Sequence, residues 1–251
     1  MTLFFRQLRH RFINSSQFEK YGLYALGEII ILILGILIAL KVDNWNHETQ
    51  NRSTEIAILN SMKTELLTDL EEIKVNISIH DIGIRAAQIV IDHLENDSAY
   101  NDSLSIHFLD LSIYTHHSYK KGAYTTLESL GIGIISNQEL RNEIIELYAF
   151  NEEMLRTQII NTDRVQHAEN NLFNTRFDEL GNIDFDLPHD LTYGRMIPLD
   201  YEALKEDEEF KFYAKTYRNS NIVYLKWWYI PLQLKVQNLI SSIEKELLVL
   251  A

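Results

Sequence analysis

The sequence predicts a mainly α protein: one N-terminal transmembrane helix followed by an elongated antiparallel helical bundle. Three observations predict it. Only three prolines and nine glycines punctuate 251 residues, which favours long helices over many short strands. One segment near the N-terminus is apolar all round. Beyond it, apolar residues recur at three- and four-residue steps over long stretches. The chain divides into a basic head (1–20), the span (21–42) and an extracytoplasmic helical domain (43–251).

In the head, Phe4, Phe5, Leu8 and Phe12 fall near one helical face, with Arg6, Arg9 and Arg11 available to lipid phosphates. That pattern reads as a short helix lying in the plane of the inner leaflet. A disordered basic tail is the alternative.

Between Tyr21 and Leu40 the only charge is Glu28. Such a stretch, at ~1.5 Å per residue, covers the ~30 Å hydrocarbon layer. Tyr21 and Tyr24 at one edge and Trp45 at the other suit an interfacial belt. A cleaved signal peptide fits less well, because the head is long and Leu37 stands where cleavage after Ala39 would want a small residue. Arg6, Arg9, Arg11 and Lys20 precede the span, and only Lys41 and Arg52 follow closely. Positive charge stays cytoplasmic, so the larger domain is expected outside, in the periplasm of a bacterial inner membrane.

Glu28, Gly35 and Ala39 lie seven and four residues apart, on one helical face. Gly35 and Ala39 make a small-xxx-small pair that lets helices approach closely. The expected use is a packing face for a homo-oligomer or a partner membrane protein. Two alternatives stay open: Glu28 reaching to water or protonated near the membrane edge, and Glu28 as a proton relay in an ion-driven complex.

After the span, Ile56, Leu59, Met62, Leu66, Leu70, Ile73 and Ile77, then Ile84, Ile91 and Leu94, mark a continuing amphipathic helix. Asn96-Asp97-Ser98 ends it, and a shorter piece is expected over 102–114. Thr125 with Glu128 forms a capping-box pattern, and Gly131 can end that short helix. Ser136 with Glu139 repeats the pattern and opens a long segment. Leu140, Ile144, Leu147, Met154 or Leu155, Ile159, Val165, Leu172 and Phe177 carry its apolar face to about Leu180. Gly181, Pro188, Gly194 and Pro198 make 181–200 a connecting loop. Asp200 caps a last helical region, which passes Tyr224, bends at Pro231 and ends near Leu250.

The net charge of −13 is uneven. Residues 1–42 carry five Lys/Arg and two Asp/Glu; residues 43–251 carry eighteen and thirty-four. An acidic domain without clustered cations argues against nucleic acid. With no cysteine, disulfides and thiolate metal sites are excluded.

Two motifs resemble an uncharacterised family. The run Phe18-Glu19-Lys20-Tyr21-Gly22-Leu23-Tyr24-Ala25-Leu26-Gly27-Glu28-Ile29, with Gly35-Ile36-Leu37-Ile38-Ala39-Leu40 and Asn44-Trp45-Asn46, is similar to its N-terminal signature. Tyr124-Thr125-Thr126-Leu127-Glu128-Ser129-Leu130-Gly131, with Ile135-Ser136-Asn137-Gln138-Glu139-Leu140-Arg141, is similar to its second. Leu130 departs from the more polar residue expected there. The family is a domain of unknown function in small single-span membrane proteins of marine Gram-negative bacteria. The resemblance implies an anchored helical periplasmic protein and no catalytic residues.

Candidate chemistry is sparse. His116 and His117 stand beside Tyr114, Tyr119 and Tyr124, but two adjacent histidines cannot share one metal from a regular helix, and a polar turn is the simpler expectation. Tyr224, Trp227 and Trp228, with Tyr229 and Lys226, form an aromatic patch, read either as bundle core or as a ligand or partner surface. Glu206-Asp207-Glu208-Glu209 suits a solvated first turn. Phosphate-loop, dinucleotide, nucleophile-elbow and calcium-loop patterns are all missing from the sequence. No cofactor, metal or enzymatic activity is therefore expected. The expected role is a membrane-anchored helical scaffold or sensor-like module that associates with membrane lipids and partner proteins. An ion-driven membrane subunit using Glu28, or a periplasmic enzyme using the His116 region, are the rivals.

Overall fold

The structure, a computed structural model, describes residues 16–180 and 194–250. The chain forms two compact units, 1–54 and 55–251. Helix α1 (Ser16–Glu95) contributes to both. Residues 1–15 of the expected head (1–20), the side chains of Tyr21 and Tyr24, and residues 181–193 of the expected loop (181–200) lie outside the described residues.

In the first unit, α1 is exposed on every side over residues 26–40: its leucines and isoleucines are 49–72% exposed. Among the described residues, no helix is long and apolar enough to cross a membrane. The charge-free run over 29–40 covers about 18 Å at the helical rise, against a hydrocarbon layer of ~30 Å.

The second unit is mainly helical. After α1 come α2 (Leu104–Asp110), α3 (Gly122–Leu130), α4 (Gln138–Ala168), α5 (Tyr201–Lys205), α6 (Glu208–Tyr224) and α7 (Ile230–Leu250). A two-stranded antiparallel ribbon, β1 (Phe177–Leu180) with β2 (Arg195–Pro198), pairs Phe177 with Pro198. The sequence pattern ran the α4 stripe on to Leu180 and missed this ribbon. In the structure a π turn (Glu169–Phe173) and a single helical turn (Asn174–Arg176) end the helix before Phe177.

The apolar positions expected on α1 meet the core. Leu59, Met62, Leu66 and Ile73 are buried with Leu127, Ile144, Leu232, Val236 and Ile243. Val90, Ile91 and Leu94 are buried in a second cluster with Phe108, Val165, Phe173, Phe177 and Phe210. Each such side chain contributes about 1.5–3 kcal/mol when fully buried. Ile159 is the exception on α4: it is 63% exposed, because Gln158 takes the inward place and bonds Tyr229.

The expected antiparallel arrangement needs correction. Ser136 meets Glu55 and Asn137 meets Glu246, so α4 starts level with the start of this unit's α1. Val165 shares a core with Val90, so α4 and α1 run parallel. Of the long helices it is α6 and α7 that run back, pairing Lys215 with Glu95, Asn221 with His80 and Glu244 with Lys63. The physical reason is the segment between α2 and α3, which has no helical or strand structure and returns the chain along α1.

Helix ends also differ in detail. Thr125 lies inside α3, whose first residue is Gly122. Gly131 ends it at φ 93°, as expected of a glycine stop. Asn137, not Ser136, caps α4, accepting the Glu139 and Leu140 N–H groups. Asp200 caps α5 as expected, and Asp207 caps α6. Asp97 ends α1 at φ 51°. At Pro231 the chain stays helical. A π turn (Leu225–Tyr229) precedes α7, and a widened turn relieves the clash of a proline ring with the carbonyl four residues back.

Candidate functional site

Buried backbone groups must find partners, and the extended segment after α2 has none in a sheet or helix. Side chains of two helices supply them. On α1, Glu72 accepts the Ser118 N–H at 2.7 Å, both Asp69 oxygens accept the Lys120 N–H at 3.1 Å, and both Glu65 oxygens accept the Ala123 N–H at 3.1 Å. Asn76 accepts the Thr115 hydroxyl, and Glu55 accepts the Ser136 N–H at 2.8 Å. On α6, Tyr213 donates to the Leu111 carbonyl at 2.7 Å, and Tyr217 lies 2.8 Å from that of Asp110. Acids spaced three or four apart on a helix advance about 5–6 Å, close to two residues of extended chain, so Glu72 and Asp69 meet N–H groups two residues apart, and Glu65 meets the one three residues on, at the start of α3. Glu65 stands so near the N-terminus of α3 that a Cβ on Gly122 would lie 2.7 Å from its Oε1.

Burial shapes the protonation of this row. Desolvation raises Asp69 to about 6, against the lowering effect of the Lys120 N–H, with Glu72 and Glu65 adding to the rise. Burial pushes His117 below its ordinary value, opposed by Glu72. At 3.5 Å from Glu72, His117 Nδ1 is too far for a hydrogen bond, and the same oxygen already takes the Ser118 N–H. A neutral His117 makes no ion pair there.

Between the two apolar clusters sits a buried polar layer: Asn76, His80, Asn151, Gln158 and Asn221. Asn221 donates to the Tyr217 carbonyl and turns its oxygen to His80 Nδ1. Nδ1 therefore carries the proton, leaving Nε2 a buried acceptor without a partner. Burial lowers the His80 pKa, and Asn221 counters it. The rings of Tyr224 and Tyr229 lie 5.8 and 4.8 Å from the imidazole.

Beside the row of acids lies a cavity of about 240 Å³ lined by Tyr119, Lys121, Tyr124, Thr125, Glu128, Ile145, Tyr148, Ala149 and Glu152. Tyr124 and Tyr148 stack at 3.9 Å and 11°. Tyr119 tilts against Tyr148 at 6.0 Å and donates to Glu152 at 2.5 Å. Tyr148 is 3% exposed, and its hydroxyl has no partner. Burial, then Glu65 and Asp69, raises the Tyr148 pKa. The cavity combines aromatic faces and carboxylates.

The residues singled out by sequence separate. Glu28, Gly35 and Ala39 are exposed on α1, and a Cβ on Gly35 would meet nothing within 4 Å. His116 is exposed and His117 buried, because side chains of an extended segment alternate. His117 is thus no polar turn; its ring lies 6.1 Å from Tyr119, which leads through Tyr148 to Tyr124. Tyr224 is buried against His80, while Trp228 packs on Phe150 at 5.4 Å. Trp227 is 64% exposed. Among the described residues no group of three His, Cys, Asp or Glu could hold a metal ion. Glu65, Asp69, Tyr148 and Glu152 were missed. Their signal was a polar row on the three–four step of the α1 stripe, together with Tyr148 and Glu152 four apart on α4.

Residues 28–180, more than half of the chain, match a family of unknown function, DUF6090. The chain belongs to this family. The DUF6090 match takes in the row of acids on α1, the extended segment and the whole cavity, and leaves α6 and α7 outside. It agrees with the uncharacterised family that the two motifs resemble. No protein of curated function and no solved structure matches the chain.

Proposed function

We propose that the chain is a membrane-anchored helical binding module. Residues 21–42 cross a bacterial inner membrane once, and the 55–251 unit stands in the periplasm and recruits a partner or small ligand. The observation that carries this reading is the apolar surface of residues 26–40, open on every side of α1. A second copy or a soluble partner covers one face of a helix; a surface apolar all round is matched by lipid. The charge-free run alone is too short to span. Residues 21–42 together reach about 33 Å, enough for the hydrocarbon layer. That span takes in Glu28, whose face it shares with Gly35 and Ala39. Packing of that face against a second copy would shield the carboxylate from lipid.

The orientation rests on Arg6, Arg9, Arg11 and Lys20 lying before the span. The test is expression of the full chain with a reporter enzyme, active only outside the cytosol, fused after Ala251. Reporter activity together with resistance of the chain to alkaline extraction is the expected result. An uncleaved chain in the soluble fraction would overturn the reading.

A further inference from the structure

We infer that the cavity beside α3 and α4 binds a small organic cation, an alkylammonium, through the faces of Tyr119, Tyr124 and Tyr148 and the carboxylates of Glu128 and Glu152. This deepens the reading of the 55–251 unit as a binding module and is separate from how the chain is anchored.

Four observations converge. The stacked pair Tyr124–Tyr148 and the tilted Tyr119 bring three electron-rich rings to one cavity of about 240 Å³, the size of a small ligand. Cations are drawn to such faces, while anions are repelled by them. Glu128 and Glu152 line the same cavity, and Glu152 already takes the Tyr119 hydroxyl. A carboxylate has about four acceptor sites, so both retain room for an ammonium N–H. The bond to Glu152 holds the Tyr119 ring in place before any ligand arrives, and stacking on Tyr148 holds that of Tyr124. Tyr148 adds a third observation: this lining residue carries a buried hydroxyl with no partner among the described residues.

The fourth is Lys121. It too lines the cavity, with its ammonium 4.0 Å from Glu152 and its side chain largely exposed. The protein's own cation therefore already sits by the carboxylate, loosely enough to be displaced. This gives the proposal a signed test. Removing Lys121 frees the carboxylate for a cationic ligand and would deprive an anionic one.

The experiment uses the full chain, tyrosine-labelled, in lipid nanodiscs, titrated with propylammonium chloride against sodium chloride of equal concentration and against 1-propanol. Saturable shifts confined to the rings of Tyr119, Tyr124 and Tyr148 are expected, with an affinity of about millimolar, since cation–π contacts near the surface are individually weak. Lys121→Met should tighten binding severalfold. Glu128→Gln with Glu152→Gln should weaken it by about tenfold while keeping the tyrosine partners in shape. Tyr124→Leu should abolish it, with an unchanged melting temperature showing that the unit is intact. Equal shifts from 1-propanol, no saturation by about 100 mM, or weaker binding in Lys121→Met would overturn the proposal. Flotation of the same nanodisc-forming chain reports on the anchor independently, so a failure of either reading is visible without the other.

Discussion

Residues 26–40 and residues 55–95 belong to the same helix, α1, yet they meet their surroundings in opposite ways. The first stretch, Glu28 apart, is apolar on every face and exposed among the described residues. The second divides its circumference. Leu59, Met62, Leu66 and Ile73 go to the core, while Glu65, Asp69 and Glu72, offset by a residue or so, take up backbone N–H groups of the returning chain, and Asn76 takes the Thr115 hydroxyl. The same backbone geometry thus serves two solvents. What differs is the angular distribution of the side chains: a helix apolar all round needs a medium, whereas a helix with a stripe and a row brings its own partners.

The largest effect should come from charging the first stretch. Ile33→Lys with Leu37→Lys places two ammonium groups there, each costing about 2.5–3.5 kcal/mol on an insertion scale. The double variant is expected to leave floated vesicles for the soluble or aggregated fraction. If it floats as the parent does, lipid is not what covers residues 26–40, and the contrast between the two stretches loses its meaning.

The same substitution made in both stretches sharpens it. Leu59→Ala empties a site with no exposure and should cost about 2–5 kcal/mol in denaturant unfolding. Leu32→Ala, at a site 62% exposed, should leave that unfolding unchanged, since no neighbour in the unit loses a contact. A comparable loss from both would mean that residues 26–40 have a folded partner.

Much of this contrast was legible in the sequence. Apolar spacing named the buried face of α1, and unbroken apolarity named residues 29–40, because both are properties of one helix read along its length. Tyr124 could be singled out, but its stacking on Tyr148 could not, since the contact joins α3 to α4. The parallel course of α4 was hidden for a related reason. It depends on an extended return held by Glu72, Asp69 and Glu65, and acids on a helix look the same in sequence whether they face water or a backbone. His117 was misplaced because the segment was read without the alternation that an extended chain imposes.

The buried acids predict a pH dependence in the second stretch and what packs on it. Burial raises Asp110 to about 7, from an ordinary 3.8. A carboxyl whose folded pKa lies above its unfolded one favours the fold most below pH ~4, and that contribution is lost as pH rises through the folded value. The loss for Asp110 is on the order of 4 kcal/mol. His80 and His117 act in the opposite sense. Their lowered values mean that the unfolded chain binds protons first, so stability falls as pH drops below their ordinary 6.5. Asp110→Asn removes one contributor alone. The variant should gain stability relative to the parent between pH 5 and pH 8, measured by urea unfolding at each pH. A difference constant over that range would show that Asp110 titrates normally.

The smallest effects should separate two glycines of α1. In the second unit a Cβ on Gly83 would lie 2.8 Å from the Tyr217 hydroxyl and 3.1 Å from its ring. That ring is buried, and its hydroxyl lies within bonding distance of the Asp110 and Ile113 carbonyls, so it cannot retreat without giving up a bond that holds the extended segment. Gly83→Ala should therefore cost about 1–3 kcal/mol, as overpacking does. Gly35 meets nothing within 4 Å, so alanine there brings no strain and should stabilise the helix by up to about 1 kcal/mol. Thermal unfolding in nanodiscs measures both. A loss on Gly35→Ala comparable to that on Gly83→Ala would place a close neighbour against Gly35, and within this chain none exists among the described residues; the neighbour would have to be a second molecule, packed on the face that Gly35 shares with Glu28 and Ala39.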